Sequence, residues 1–91
     1  MNKKPVTIEM VSSKNCDRCV KMEQRILAVA KKAGVQVVVE KVDCSTSTAV
    51  ALGVTYGLDD IPSFVVGGLG FSGEAFTDTA LEAVLKQEGG R

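Results

Sequence analysis

Ser13-Lys14-Asn15-Cys16-Asp17-Arg18-Cys19-Val20 sets two thiols three positions apart, between an extended apolar segment and a long amphipathic one. If a helix opens at Asn15 or Cys16, Cys16 lies in its exposed first turn. Cys19 then lies one turn on, on the same side, and a disulfide between them is geometrically feasible. The first turn carries unpaired N–H groups and the positive end of the helix dipole, both of which favour a thiolate. Cys16 is therefore expected to be the acidic, reactive sulfur, within the range of about 3.5–7.5 found for activated cysteines. Lys14 and Arg18 would add positive potential and Asp17 would oppose it, while Cys19, one turn deeper, is the expected resolving thiol. Taken alone, the spacing also fits a structural pair or half of a metal knuckle.

The flanks decide the architecture. Val6-Thr7-Ile8-Glu9-Met10-Val11 is rich in β-formers and reads as a strand broken by Ser12 to Asn15. After Cys19, the apolar residues Met22, Ile26, Val29, Ala30 and Ala33 recur at helical spacing, and Gly34 is the expected C-terminal cap. Val35 to Val42 is β-branched and reads as a second, buried strand. Strand, helix, strand in this order implies a parallel pair joined by a right-handed crossover. Asp43 is expected to cap a short helix through Val50, Ala51 and Leu52, and Ser63-Phe64-Val65-Val66 is a third strand. Gly67-Gly68 marks a hairpin into a fourth strand, Leu69 to Ser72. Thr77 or Asp78 should cap a last helix with Leu81, Val84 and Leu85 inward, leaving residues 88–91 as a loose tail. A mixed four-stranded sheet flanked by three helices accommodates this order.

At 91 residues the chain has room for one domain, with its core at about 6–87. Eleven basic and eleven acidic side chains cancel, which argues against an electrostatic grip on nucleic acid or on an anionic membrane. No run approaches the roughly 18 apolar residues of a membrane span. Met1-Asn2-Lys3-Lys4-Pro5 is basic, but Glu9 interrupts the apolar stretch that follows, unlike a signal peptide. Three cysteines are too few for a disulfide scaffold, so a reducing, cytoplasmic setting is expected. The absence of His excludes a Cys–His nucleophile or a His-based metal site within one chain.

Cys16-Asp17-Arg18-Cys19 after the first strand, Val42-Asp43 ending the second, Tyr56-Gly57-Leu58 and Ile61-Pro62 before the third, and Gly73 before the last helix together resemble a small thioredoxin-fold protein of the thioredoxin-like and glutaredoxin-like kind. The resemblance runs from Val6 to about Leu85. It implies a thioredoxin-like α/β fold in which Cys16 attacks and Cys19 resolves. It further implies a cis Ile61–Pro62 bond packed against the disulfide, with the Ile61 backbone binding the substrate chain. Lys14 matches the basic residue that glutaredoxins place two before the first cysteine. The family's buried acid, six before the first cysteine, is Met10 here, and Glu9 points to the opposite face. The first strand thus offers no proton acceptor to Cys19.

The function so implied is thiol-disulfide exchange with a disulfide-containing protein or small molecule, by a monomer that needs no cofactor. A flavoprotein resembling thioredoxin reductase, or glutathione, would return the pair to the dithiol. Two other readings are open. One is a metal-binding or metal-delivery module using Cys16, Cys19 and Cys44, with Asp43 or a second chain as fourth ligand. The other is an interaction domain that keeps the fold without the activity. Cys44 is read as a small hydrophobe first and as a third redox thiol second.

Overall fold

The computed structural model describes residues 5–90. Met1 to Lys4, most of the basic N-terminal stretch, and Arg91 at the end of the expected tail lie outside the described residues. Strand β1 (Val6–Ser12) leads through helix α1 (Asp17–Ala33) to strand β2 (Val37–Asp43). Helix α2 (Ser47–Tyr56), strands β3 (Ser63–Val66) and β4 (Leu69–Ser72) and helix α3 (Asp78–Gly89) follow. The four strands form one mixed sheet in the order β2-β1-β3-β4. β1 runs parallel to β2, with Val6 opposite Val37, and antiparallel to β3, with Met10 opposite Phe64. This is the thioredoxin-like α/β arrangement of four strands and three helices.

One face of the sheet carries the core. Ile8, Met10, Phe64 and Val66 alternate inward and meet Cys19, Met22 and Ile26 of α1 and Leu81 and Leu85 of α3. The Phe64 ring stacks on Phe71, centroids 4.7 Å apart, and Phe76 meets it edge-on at 5.1 Å. Val11, Val65 and Ala49 are buried too, outside that cluster.

Three expectations change. β2 is an edge strand, with half-buried and exposed residues alternating from Val37 to Glu40 and Val38 turned to solvent, rather than a buried one. Its β-branched run is explained by one inward row, Val37 and Val39, that packs against the core. β2 also starts two residues late, because the Val35 N–H closes the C-terminus of α1 by donating to the Ala30 carbonyl at 3.0 Å. Gly34 makes that turn possible with φ at 72°. The tail begins later than residue 88, since Glu88 and Gly89 belong to α3. Gly89 is buried so close to Val35 that a Cβ there would lie 3.0 Å from its Cγ1.

Candidate active site

The loop after β1 turns sharply into α1. Asn15 adopts the left-handed conformation, φ 55°, which Asn tolerates better than most residues. That turn leaves Cys16 extended as the N-cap of α1, its Sγ accepting a hydrogen bond from the Cys19 N–H at 3.0 Å. A sulfur here takes the place of the Ser or Asp oxygen usual at N-caps and faces the donors of the first turn. Cys16 and Cys19 are joined by a disulfide with their Cα atoms 5.2 Å apart. Cys16 is half-buried, while Cys19 is only 4% exposed and packs into the core.

The segment facing α1 comes from residues 59–63. The Ile61–Pro62 bond is cis and Pro62 is fully buried. The Ile61 N–H donates to Asp60 Oδ1 at 2.8 Å, and Ile61 packs on the same core cluster as Cys16. Arg18, between the two cysteines, crosses to this segment and to the loop before α3. Its Nε lies 2.7 Å from Glu74 Oε1 and its Nη2 3.7 Å from Asp60 Oδ2. Hydrogen bonding and charge pairing with Glu74, with a smaller contribution from Asp60, raise the guanidinium pKa above its already high value. The charge of Arg18 is thus shared with two carboxylates, a partnership that the sequence left unread because 56 positions separate Arg18 from Glu74.

Arg25 lies two turns along α1 from Arg18. It clamps the same loop, with Nε 2.6 Å from Asp78 Oδ1, Nη2 donating to the Phe76 carbonyl at 2.7 Å, and its guanidinium 3.9 Å above the Phe76 ring. The seven-residue spacing of Arg18 and Arg25, which sets both on one helix face, was the available signal.

Lys14 is exposed, and its charge acts on Asp43 at the end of β2. Asp43 does not cap α2. Thr46 does, accepting from the Ala49 N–H at 3.2 Å, while Asp43 Oδ1 accepts from the Ser45 hydroxyl and N–H one turn earlier. The Ser45 hydroxyl, then the Ser45 N–H, and more weakly Lys14 hold the Asp43 carboxyl below its ordinary range. A depressed carboxyl pKa stabilises the fold above its unfolded value, and that contribution fades as pH falls through the folded value. Ser45→Ala is expected to move the Asp43 titration upward, part of the way back, as read by carboxyl NMR between about pH 2 and 6; an unmoved midpoint would mean that the hydroxyl does not set it.

Cys44 is half-buried and is not part of the disulfide. It lines a groove of about 680 Å³ under α2, together with Val11, Val54, Ile61 and Ser63. The Cys16–Cys19 pair borders a different cavity, and among the described residues no three Cys, Asp or Glu side chains are gathered as a metal would need.

A family model described as a thioredoxin domain matches residues 6–86. The chain belongs to the thioredoxin domain family. Solved thioredoxin-like structures agree on the fold. An uncharacterised thioredoxin-like protein from Clostridium perfringens superimposes with a TM-score of 0.60 at 20% identity, covering 97% of this chain and 77% of that one. Thioredoxin-2, described as a component of the protein secretion machinery of the malaria parasite, gives 0.55 at 17% identity over 96% and 85%. A malarial protein gives 0.57 at 16% identity over 93% and 98%. No curated protein matches the sequence significantly. Among the described residues, no helix of this thioredoxin-family chain is long and apolar enough to cross a membrane.

Proposed function

We propose that the chain is a thiol-disulfide oxidoreductase. The observation that carries this reading is Cys16 at the N-cap of α1, its sulfur accepting the Cys19 N–H and lying within bonding reach of the Cys19 sulfur. The helix terminus favours the thiolate of Cys16, which attacks a substrate disulfide and releases one sulfur while forming a mixed disulfide. Cys19 then attacks Cys16, the substrate leaves as a dithiol, and the Cys16–Cys19 pair is left oxidised. Ile61, next to the cis Pro62, packs on the same core cluster as Cys16, and its backbone is the one that receives an extended substrate segment in this reading. Arg18, between the two cysteines, and Lys14, two positions before Cys16, are the cations assigned to substrate binding. The substrates are disulfide-bearing proteins of the cytoplasm, the protein acts as a monomer, and a reductase-type flavoprotein or glutathione restores the dithiol. No cofactor takes part in the exchange.

The test is an equilibrium titration in dithiothreitol buffers, with intact mass and alkylation reporting which thiols oxidise. A reversible two-electron couple confined to Cys16 and Cys19 is expected. A midpoint near thioredoxin's value of about −270 mV would make the protein a reductase, and one near −120 mV an oxidant. A pair that never bridges, or that alkylates only after a chelator is added, would sink the proposal.

A further inference from the structure

The second half of the exchange needs the Cys19 thiolate, yet Cys19 is 4% exposed among apolar side chains, where burial disfavours the charged form. Its proton therefore needs an acceptor close by. Strand β1 offers none, because the core residue beside α1 is Met10, fully buried.

A carboxylate of α1 lines the same cavity as Cys19. Glu23 follows Cys19 by four positions, so the two share one helix face. Both line a cavity of about 200 Å³ bordered also by Cys16, Met10 and Lys41. Lys41 stands opposite Met10 in the β1–β2 register, so the neighbouring strand delivers a cation where β1 delivers a thioether. The Lys41 Nζ lies 2.8 Å from Glu23 Oε1. Glu23 is the inner member of this pair, its side chain 25% exposed against 57% for Lys41. Asp17 is the other carboxylate on the cavity and is solvent-exposed at the first helical position.

We propose that Glu23 is the proton acceptor for Cys19, a role that rests on the exchange reading above. The Cys19 proton passes to the Glu23 carboxylate through water in the cavity, which has room for several molecules at about 30 Å³ each. The Cys19 thiolate attacks Cys16 Sγ; the Cys16–Cys19 bond forms as the bond from Cys16 to the substrate sulfur breaks. The electron pair leaves on that sulfur, and Glu23 gives up its proton, to that sulfur or to solvent. The substrate is reduced, the cysteine pair is oxidised, and the carboxylate is restored.

Mixing the reduced protein rapidly with a symmetrical aromatic disulfide separates the two halves, since each attack releases one coloured thiolate. Glu23→Gln is expected to leave the first release unchanged and to slow the second about 100-fold at neutral pH, with the loss recovered as pH rises. An unchanged first release also reports a folded protein. Glu23→Asp restores part of the second rate, Asp17→Asn leaves it alone, and Lys41→Met keeps it near wild type because the carboxylate remains. An unaltered second release in Glu23→Gln overturns the proposal. So does an equal loss in Glu23→Gln and Lys41→Met, which would make the pair a structural clasp. A wild-type protein with no first release would refute exchange itself and take this assignment with it.

Discussion

Cys16→Ser is expected to abolish disulfide exchange, lowering the rate by at least about a thousandfold, to that of the buffer. The attacking sulfur sits at the N-cap of α1, and a hydroxyl in the same place satisfies the same N–H without being a nucleophile toward sulfur. The protein should stay folded, because Ser is a good N-cap and Cys16 is not part of the fully buried core. Cys19→Ser should behave differently: Cys16 still attacks, nothing resolves the product, and the mixed disulfide accumulates. Intact mass after mixing with a disulfide peptide distinguishes the two, showing no adduct for Cys16→Ser and one peptide per chain for Cys19→Ser. Retained cellular function in a Cys16→Ser strain would identify an interaction domain rather than an enzyme.

Phe64→Ala is expected to have the largest effect on stability, a loss of about 3–5 kcal/mol. Phe64 is 0% exposed at the centre of the sheet, with Phe71 stacked on one side and Phe76 edge-on to it. Phe64 also belongs to the core cluster on which Ile61 packs. For a domain stabilised by about 5–15 kcal/mol this is a large share, so the urea midpoint should fall steeply with little change in slope. Phe71→Ala should cost less, since Phe71 on edge strand β4 is half-buried. Equal midpoints for the two variants would show that the ring cluster does not centre on Phe64.

What could be read from the sequence was what local spacing encodes. The 3.6-residue rhythm from Cys19 to Ala33, the cap at Gly34 and the Gly67-Gly68 turn, φ 59° and 76°, each follow from a few neighbouring residues. The reactive pair was legible for the same reason. Strand order is not local. Nothing within Val35 to Val42 distinguishes an edge strand with one inward row from a central one, and β2 was read as buried accordingly. The cap of α2 was assigned to Asp43 because Asp, Ser and Thr compete for that role over four positions, and only the turn geometry selects Thr46. Partners joined across the fold, Arg18 with Glu74 and Glu23 with Lys41, depend on how α1 sits against its neighbours.

The placement of Cys19 in the core sets a timetable for biosynthesis. The core cluster to which it belongs includes Leu81 and Leu85 of α3, roughly 60 residues further along the chain. At about 5–20 residues per second, the nascent thiol spends seconds without that cover. During translation, then, the cluster that buries Cys19 stays incomplete until α3 docks, and the difference in cover between the two thiols is complete only with the last helix in place.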